Sequence, residues 1–249
     1  MTSHLRCVNA LEGSSGLREQ DAPFWSIIDS LELDVSPEVR EQIVQRWTHI
    51  AQMEHASVAS FSRFSLDLMA FGAPPELLEA SHQAAIDEIH HARIAFALVS
   101  RISGSSLGPG PLPLEGVSVS STMSEMVEAT IVEGCVGESL AALEAIRAQE
   151  LASVPAFVEA SKIIARDEAT HAELAWKTVG WALSLEPSLV SSASQVFEQC
   201  FESPLDPRVG LEELDLSDFG LLNSAQRAQL RSEVISSQLR PAAQRLTQL

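Results

Sequence analysis

Asp87-Glu88-Ile89-His90-His91 and Asp167-Glu168-Ala169-Thr170-His171 decide how the rest of the chain is read. Both spell Asp-Glu-x-x-His, and both sit inside long runs with helical spacing. Residues three apart on a helix share a face, so in each copy the Glu carboxylate and the His imidazole point the same way. A single Glu-x-x-His recurs by chance. Two copies, each preceded by a helical run with a carboxylate in its apolar stripe, carry more weight. Those carboxylates are Glu54 and Glu138, which gives the spacing Glu54-x33-Glu88-x2-His91-x46-Glu138-x29-Glu168-x2-His171.

Four helical runs hold these residues. The first starts at Ser36-Pro37-Glu38, an N-cap serine, a proline at the first helical position and an acid in the first turn, and ends near Gly72. Stepping at about 100° per residue, Ile43, Trp47, Ile50, Val58, Phe61, Ser65 and Leu68 form one stripe centred on Glu54. Arg63 and Asp67 fall with Glu38, Glu41 and Gln45 on the opposite, polar face. The second run covers 75–103, with Glu88 and His91 in its apolar line and His90 turned outward. Residues 104–121 are too rich in Gly and Pro to be helix or strand throughout, and read as a long connection.

The third run, 122–152, offers two glutamates. Glu138 shares the apolar face with Val127, Ile131 and Ala141, while Glu133 lies nearer the polar face and would join the site only if a π-bulge shifted the helical phase. Gly134, Cys135 and Gly137 thin the wall beside Glu138, either to leave room for dioxygen or a substrate or to let helices pack closely. The fourth run, 155–185, carries Glu168 and His171 between Ile164 and Ala175. The two Asp-Glu-x-x-His copies align at a shift of 80 residues, and Glu54 with Glu138 at 84, as an internal pseudo-repeat would.

One Glu from each of two helices and Glu-x-x-His from each of two others is the ligand inventory of the ferritin-like di-iron and di-manganese carboxylate bundles. Over roughly residues 37–185 the chain resembles that superfamily. The resemblance implies an all-α fold: a four-helix bundle with one long crossover between helices 2 and 3. The expected organisation is an N-terminal arm over 1–35, the bundle over 36–186 and a C-terminal helical extension over 187–249. It also implies metal ligands Glu54, Glu88, His91, Glu138, Glu168 and His171. Glu138 and Glu168 are the expected bridging or shifting carboxylates, and the other four the anchors. In the bacterial multicomponent monooxygenases a similar motif has its Asp hydrogen-bond the His of the partner helix. By that likeness Asp87 would orient His171, and Asp167 would orient His91.

Carboxylates and imidazoles without thiolates suit iron, or a manganese–iron pair, rather than structural zinc. The function expected from the resemblance is an oxidase or oxygenase that takes dioxygen, a small organic substrate and electrons from an external donor. Within the superfamily, an iron- or peroxide-handling protein is the first alternative and a non-enzymatic bundle the second. Histidine in both motifs, and the lack of a rubredoxin-like Cys pair, count against the first. The chain has no Tyr, which disfavours a tyrosyl-radical subunit.

The formal charge of −18 and the lack of any Lys/Arg cluster argue against nucleic acid and anionic membranes as partners. No apolar run is long enough to span a bilayer, and 1–21 lack the apolar core of a signal peptide. Cys7, Cys135 and Cys200, odd in number and far apart, fit reduced thiols and a cytoplasmic location. Gly13-Ser14-Ser15-Gly16 reads as part of a mobile arm, and Phe24, Trp25, Ile27, Ile28 and Leu31 as a short apolar patch. The C-terminal run 223–246, interrupted by Pro241, could cap the bundle, cover an entrance or mediate homodimerisation.

Overall fold

Ser36 opens the first helix, as its sequence context predicts. Its backbone is extended, and its hydroxyl accepts from the Val39 N–H at 3.3 Å. Pro37 follows, at a position where a missing N–H costs nothing. The structure is a computed structural model that describes residues 17–19, 31, 33–203 and 214–248. The apolar patch expected at 24–28 and the linker-like 13–16 lie outside the described residues.

Helix α1 is Pro37–Ala70 and α2 is Pro75–Ser103. The second stops where Gly104 takes a left-handed φ of 75°, which lets its N–H close onto the Ser100 carbonyl at 3.0 Å. Met123–Ala129, Thr130–Glu138 and Ser139–Leu151 follow one another without a break and are numbered α3; the middle segment is π-helical. Helix α4 is Pro155–Leu185 and α5 is Val190–Glu202. Helix α6 joins Ser224–Val234, a π-helical Ile235–Leu239 and Arg240–Thr247. Short links between α1 and α2 and between α3 and α4 make two helical hairpins. Within each hairpin the partners pack side by side, and α2 also packs on α4. Helix α5 lies against the π-helical part of α3, and the start of α6 against its last part.

Two sequence expectations are corrected, and one small feature is added to them. The arm and the long connection contribute a small sheet: Leu17–Glu19 (β1) pairs antiparallel with Leu107–Pro109 (β2), Arg18 opposite Gly108. Strands of three residues are too short to leave a readable alternation. Pro241 does not interrupt the last helix. It lacks an N–H and would crowd the carbonyl four residues earlier, and the π-helical turn just before it absorbs that misfit. Arg63 and Asp67, assigned to a polar face, are instead enclosed, at 10 % and 1 % side-chain exposure. The long connection folds over them, and the Ser120 N–H donates to Asp67 Oδ1 at 2.6 Å.

The interior falls into two large apolar clusters. One, at the Trp47 end, gathers Ile43, Phe96, Leu98 and Phe157 with Leu216 and Leu221 from the C-terminal segment; the Trp47 indole N–H donates to the Phe219 carbonyl at 3.0 Å. The other gathers Leu68, Met126, Ile131 and Val179 with Phe197 and Val234 from α5 and α6. The C-terminal extension therefore caps the bundle rather than standing apart from it. Each large side chain so buried contributes about 2 kcal/mol. Between these clusters, Glu88, His91, Glu168 and His171 form a polar layer no more than 4 % exposed. Such a layer is costly unless opposite charge compensates it. Among the described residues, no helix is long and apolar enough to cross a membrane.

Candidate metal centre

The four helices bring the six sequence-predicted ligands into two overlapping groups. Glu54, Glu88, His91 and Glu168 form one; Glu88, Glu138, Glu168 and His171 form the other, and within each group one ligand atom per residue lies within 4.8 Å of the rest. The residues common to both are Glu88 and Glu168. Glu138, expected as a bridging or shifting carboxylate, belongs to the His171 group alone.

The atomic contacts explain the sharing. Glu88 points Oε2 at His91 Nδ1 (3.7 Å) and Oε1 at His171 Nδ1 (3.2 Å). Glu168 points Oε1 at His91 Nδ1 (3.5 Å) and Oε2 at His171 Nδ1 (3.3 Å). Each of these carboxylates thus spans both imidazoles. Glu54 Oε2 stands 3.5 Å from His91 Nδ1 and completes the first group.

Behind the imidazoles lie the two aspartates. His91 Nε2 is 3.2 Å from Asp167 Oδ2, and His171 Nε2 is 3.5 Å from Asp87 Oδ2. Each contact crosses from one Asp-Glu-x-x-His helix to the other. A carboxylate at Nε2 favours the proton there and leaves Nδ1 turned to the cluster. Asp167 is itself held by Arg166 at 2.7 and 3.0 Å, and Asp87 by the Gln83 amide at 2.8 Å. His90 is exposed and outside the cluster.

The buried carboxylates and imidazoles shift one another's protonation strongly. Burial pushes Glu54 up to about 8, against the lowering contact with His91. Burial, reinforced by Glu168, also drives Glu138 well above the carboxylate range. Burial opposes charge on both imidazoles, yet the surrounding carboxylates prevail: Glu168 and Glu88 raise His171 to about 10, and Glu168, Glu54 and Glu88 hold His91 well above its ordinary value. Glu168 goes the other way, because Glu138, His171 and His91 outweigh its burial. Even so, among the described residues His91 Nδ1 and Glu88 Oε2 are buried with no hydrogen-bond partner. Orphaned donor atoms converging in a buried carboxylate–imidazole cluster are what divalent cations would satisfy, so the residues fit such a group.

Glu133, the other candidate on α3, is not in either group. It accepts from Arg63 at 2.6 Å, and Arg63 also reaches Asp67 at 3.2 Å. The π-helix governs this arrangement. Regular α-helical stepping sets residues five apart on different faces, whereas i→i+5 hydrogen bonding brings them nearly into line. Glu133 and Glu138 accordingly line one cavity of about 360 Å3, which also touches His171. Sequence reasoning missed Arg63 and Asp67 here, because an Arg-x-x-x-Asp pair looks like a solvent-exposed helical ion pair.

The two helix-thinning glycines separate by cause. A Cβ on Gly134 would collide with the Ala175 Cβ, so close packing of α3 on α4 requires glycine there. A Cβ on Gly137 would meet only the Val132 carbonyl, at 3.3 Å, and Gly137 faces the cavity. Gly134→Val is expected to cost about 1–3 kcal/mol, a fall of about 2–4 °C in Tm per kcal/mol at this length. Gly137→Ala is expected to stay within about 1 kcal/mol of the parent, since it also gains helix propensity. Thermal melts of the two variants check this, and equal melting temperatures would refute the distinction.

No protein-family model, curated protein or solved structure matches the chain.

Proposed function

We propose that the chain is a ferritin-like four-helix bundle holding two iron ions, or a manganese–iron pair, and that it oxidises a small organic molecule with dioxygen. The observation that carries this reading is the way Glu88 and Glu168 each offer one oxygen to His91's side and one to His171's side. Four carboxylates and two imidazoles without a thiolate favour hard-to-borderline metals, and four negative charges balance two divalent ions.

In this reading Glu54 and His91 would hold one metal, Glu138 and His171 the other, and Glu88 and Glu168 would serve both groups. Two metals held there would supply redox chemistry with dioxygen, for which an external electron donor would be needed. The remaining work belongs to the chain. Asp167 and Asp87 keep a proton on the outer nitrogen of each imidazole and fix the ring. The cavity opens on the side of Glu138 and His171, so a substrate would approach that end of the centre. Phe61 sets its ring edge-on to His171, with centroids 4.9 Å apart, and screens that imidazole from water.

The test is anaerobic titration with ferrous iron, then exposure to oxygen, with iron per chain measured after desalting. Uptake that saturates at about two irons per chain and consumes oxygen is the expected result. Iron that keeps accumulating past that ratio would replace this reading with iron storage. A chain that binds no iron would end it.

A further inference from the structure

Two serines of α1 stand in the cavity wall between the carboxylate–imidazole cluster and Arg63. Glu54 on α1 and Glu138 on α3 both reach Glu88 and Glu168. Further along, Arg63 on α1 donates to Glu133 on α3 at 2.6 Å. Rising numbers on one helix thus match falling numbers on the other, so the two run antiparallel past the cavity. Ser57 and Ser60 fall between these crossings, and both line the cavity. Three residues apart, they share a helix face, and Ser57 lies about 5 Å along the axis from Glu54.

Their hydroxyls differ from those nearby. Thr130, which also lines the cavity, closes onto the Met126 carbonyl at 2.7 Å. Ser62 and Ser65 close onto the carbonyl four residues earlier, at 2.7 and 2.9 Å. Among the described residues neither the Ser57 nor the Ser60 hydroxyl has a hydrogen-bond partner. The carboxylates bordering the cavity are all engaged. Asp67 accepts from Arg63 and from the Ser120 N–H, Glu133 accepts from Arg63, and Glu138 belongs to the His171 group. The rest of the lining is largely apolar, with Phe64, Val132 and Leu174 among it, and the volume lies at the small end of ligand sites. A charged guest would lose its water there without meeting an uncommitted counter-charge, which makes its burial expensive.

We propose that the cavity takes a small uncharged molecule with an apolar body and one carbonyl or hydroxyl oxygen, and that Ser57 and Ser60 hold that oxygen. A carbonyl oxygen accepts from both hydroxyls, whereas an alcohol accepts from one and donates to the other. Gly137 leaves the α3 wall without a side chain beside Glu138, so the carbon frame extends from the serines towards the centre. This substrate class rests on the reading of the metal centre as the place of reaction.

Calorimetric titration of the manganese(II)-loaded chain with 2-hexanone, 2-hexanol, n-hexylamine and hexanoate at neutral pH tests the assignment, because the probes share a six-carbon chain and differ in the polar group. The ketone and the alcohol are expected to bind about tenfold or more tightly than either ion. The tighter of the two identifies the oxygen. The double variant Ser57→Ala, Ser60→Ala should weaken that probe about tenfold and leave the ions unchanged. Alanine suits a helix, so the double variant is expected to keep the fold, with a thermal melt to verify it. Ser62→Ala, on an exposed position of the same helix, should change nothing. An ion that binds as tightly as the neutral probes overturns the proposal, and so does a double variant that binds ketone and alcohol as the parent does. The same titration without metal, beside a metal assay, keeps the two readings apart. Discrimination without metal uptake retains the serine site and removes the metal centre. Two bound metals without discrimination do the reverse.

Discussion

Glu88→Ala, loaded anaerobically with ferrous iron and desalted, is expected to lose nearly all of the iron that the parent chain retains, and Glu168→Ala the same. Glu54→Ala and Glu138→Ala should each retain about half. The asymmetry follows from which oxygen faces which imidazole. Glu88 and Glu168 belong to both ligand groups, whereas Glu54 serves only the His91 group and Glu138 only the His171 group. Disturbing even the outer partner of a metal ligand costs about 10–100-fold in affinity, so losing a direct ligand of both metals should cost at least that at each. Circular dichroism must accompany the metal analysis, because removing a carboxylate from a nearly closed site could also loosen the fold. Glu88→Gln, which preserves shape and removes charge, guards against that confusion. A Glu88→Ala chain holding two irons would sink the assignment. So would a Glu54→Ala chain as depleted as Glu88→Ala.

This pattern of sharing marks where sequence reading stopped. Helical phase put Glu54, Glu88, His91, Glu138, Glu168 and His171 on inward faces, because inward direction depends only on spacing within one helix. It also separated Glu133 from Glu138. Which carboxylate reaches across to both imidazoles depends on how four helices stand against one another, and no single-helix period carries that information. The boundaries of α2 and α4 were legible because Pro75, Gly104 and Pro155 punctuate them. The fate of Arg63 and Asp67 was not, because their burial comes from the 104–122 connection and from Glu133. The π-helical segment of α3 is an intermediate case. Gly134 and Gly137 hinted at an unusual wall, but a π turn has no sequence period of its own. It brings Glu133 and Glu138 onto one cavity, a consequence visible only in three dimensions.

Stripping the metals should lower the melting temperature, and the size of that fall should grow with pH. A ligand that binds only the folded chain at about 1,000 times its Kd adds about 4 kcal/mol, which at this length is a rise of about 8–16 °C. The pH dependence differs between the two forms. In the metal-free chain Glu54 is raised from 4.5 to about 8 and His171 from 6.5 to about 10. A raised group stabilises the fold below its ordinary value and loses that contribution as pH climbs through the raised one. The metal-free chain therefore weakens as pH rises through those values. Glu168 is lowered from 4.5, so its contribution is lost only in acid and does not cancel the trend. The loaded chain does not share that loss, because metals take deprotonated carboxylates and neutral imidazoles and must displace the protons that His91 and His171 hold. The gap between loaded and chelator-stripped protein should thus be small near pH 5 and widen between about pH 6 and about pH 9. Paired thermal melts across that range check it, with proton release on loading followed in weak buffer. If the gap stays constant with pH, the buried protons are not on the ligands. If the stripped chain melts as high as the loaded one, the polar layer between the two apolar clusters is stable without cations, and the case for a metal centre built from orphaned His91 and Glu88 atoms falls with it.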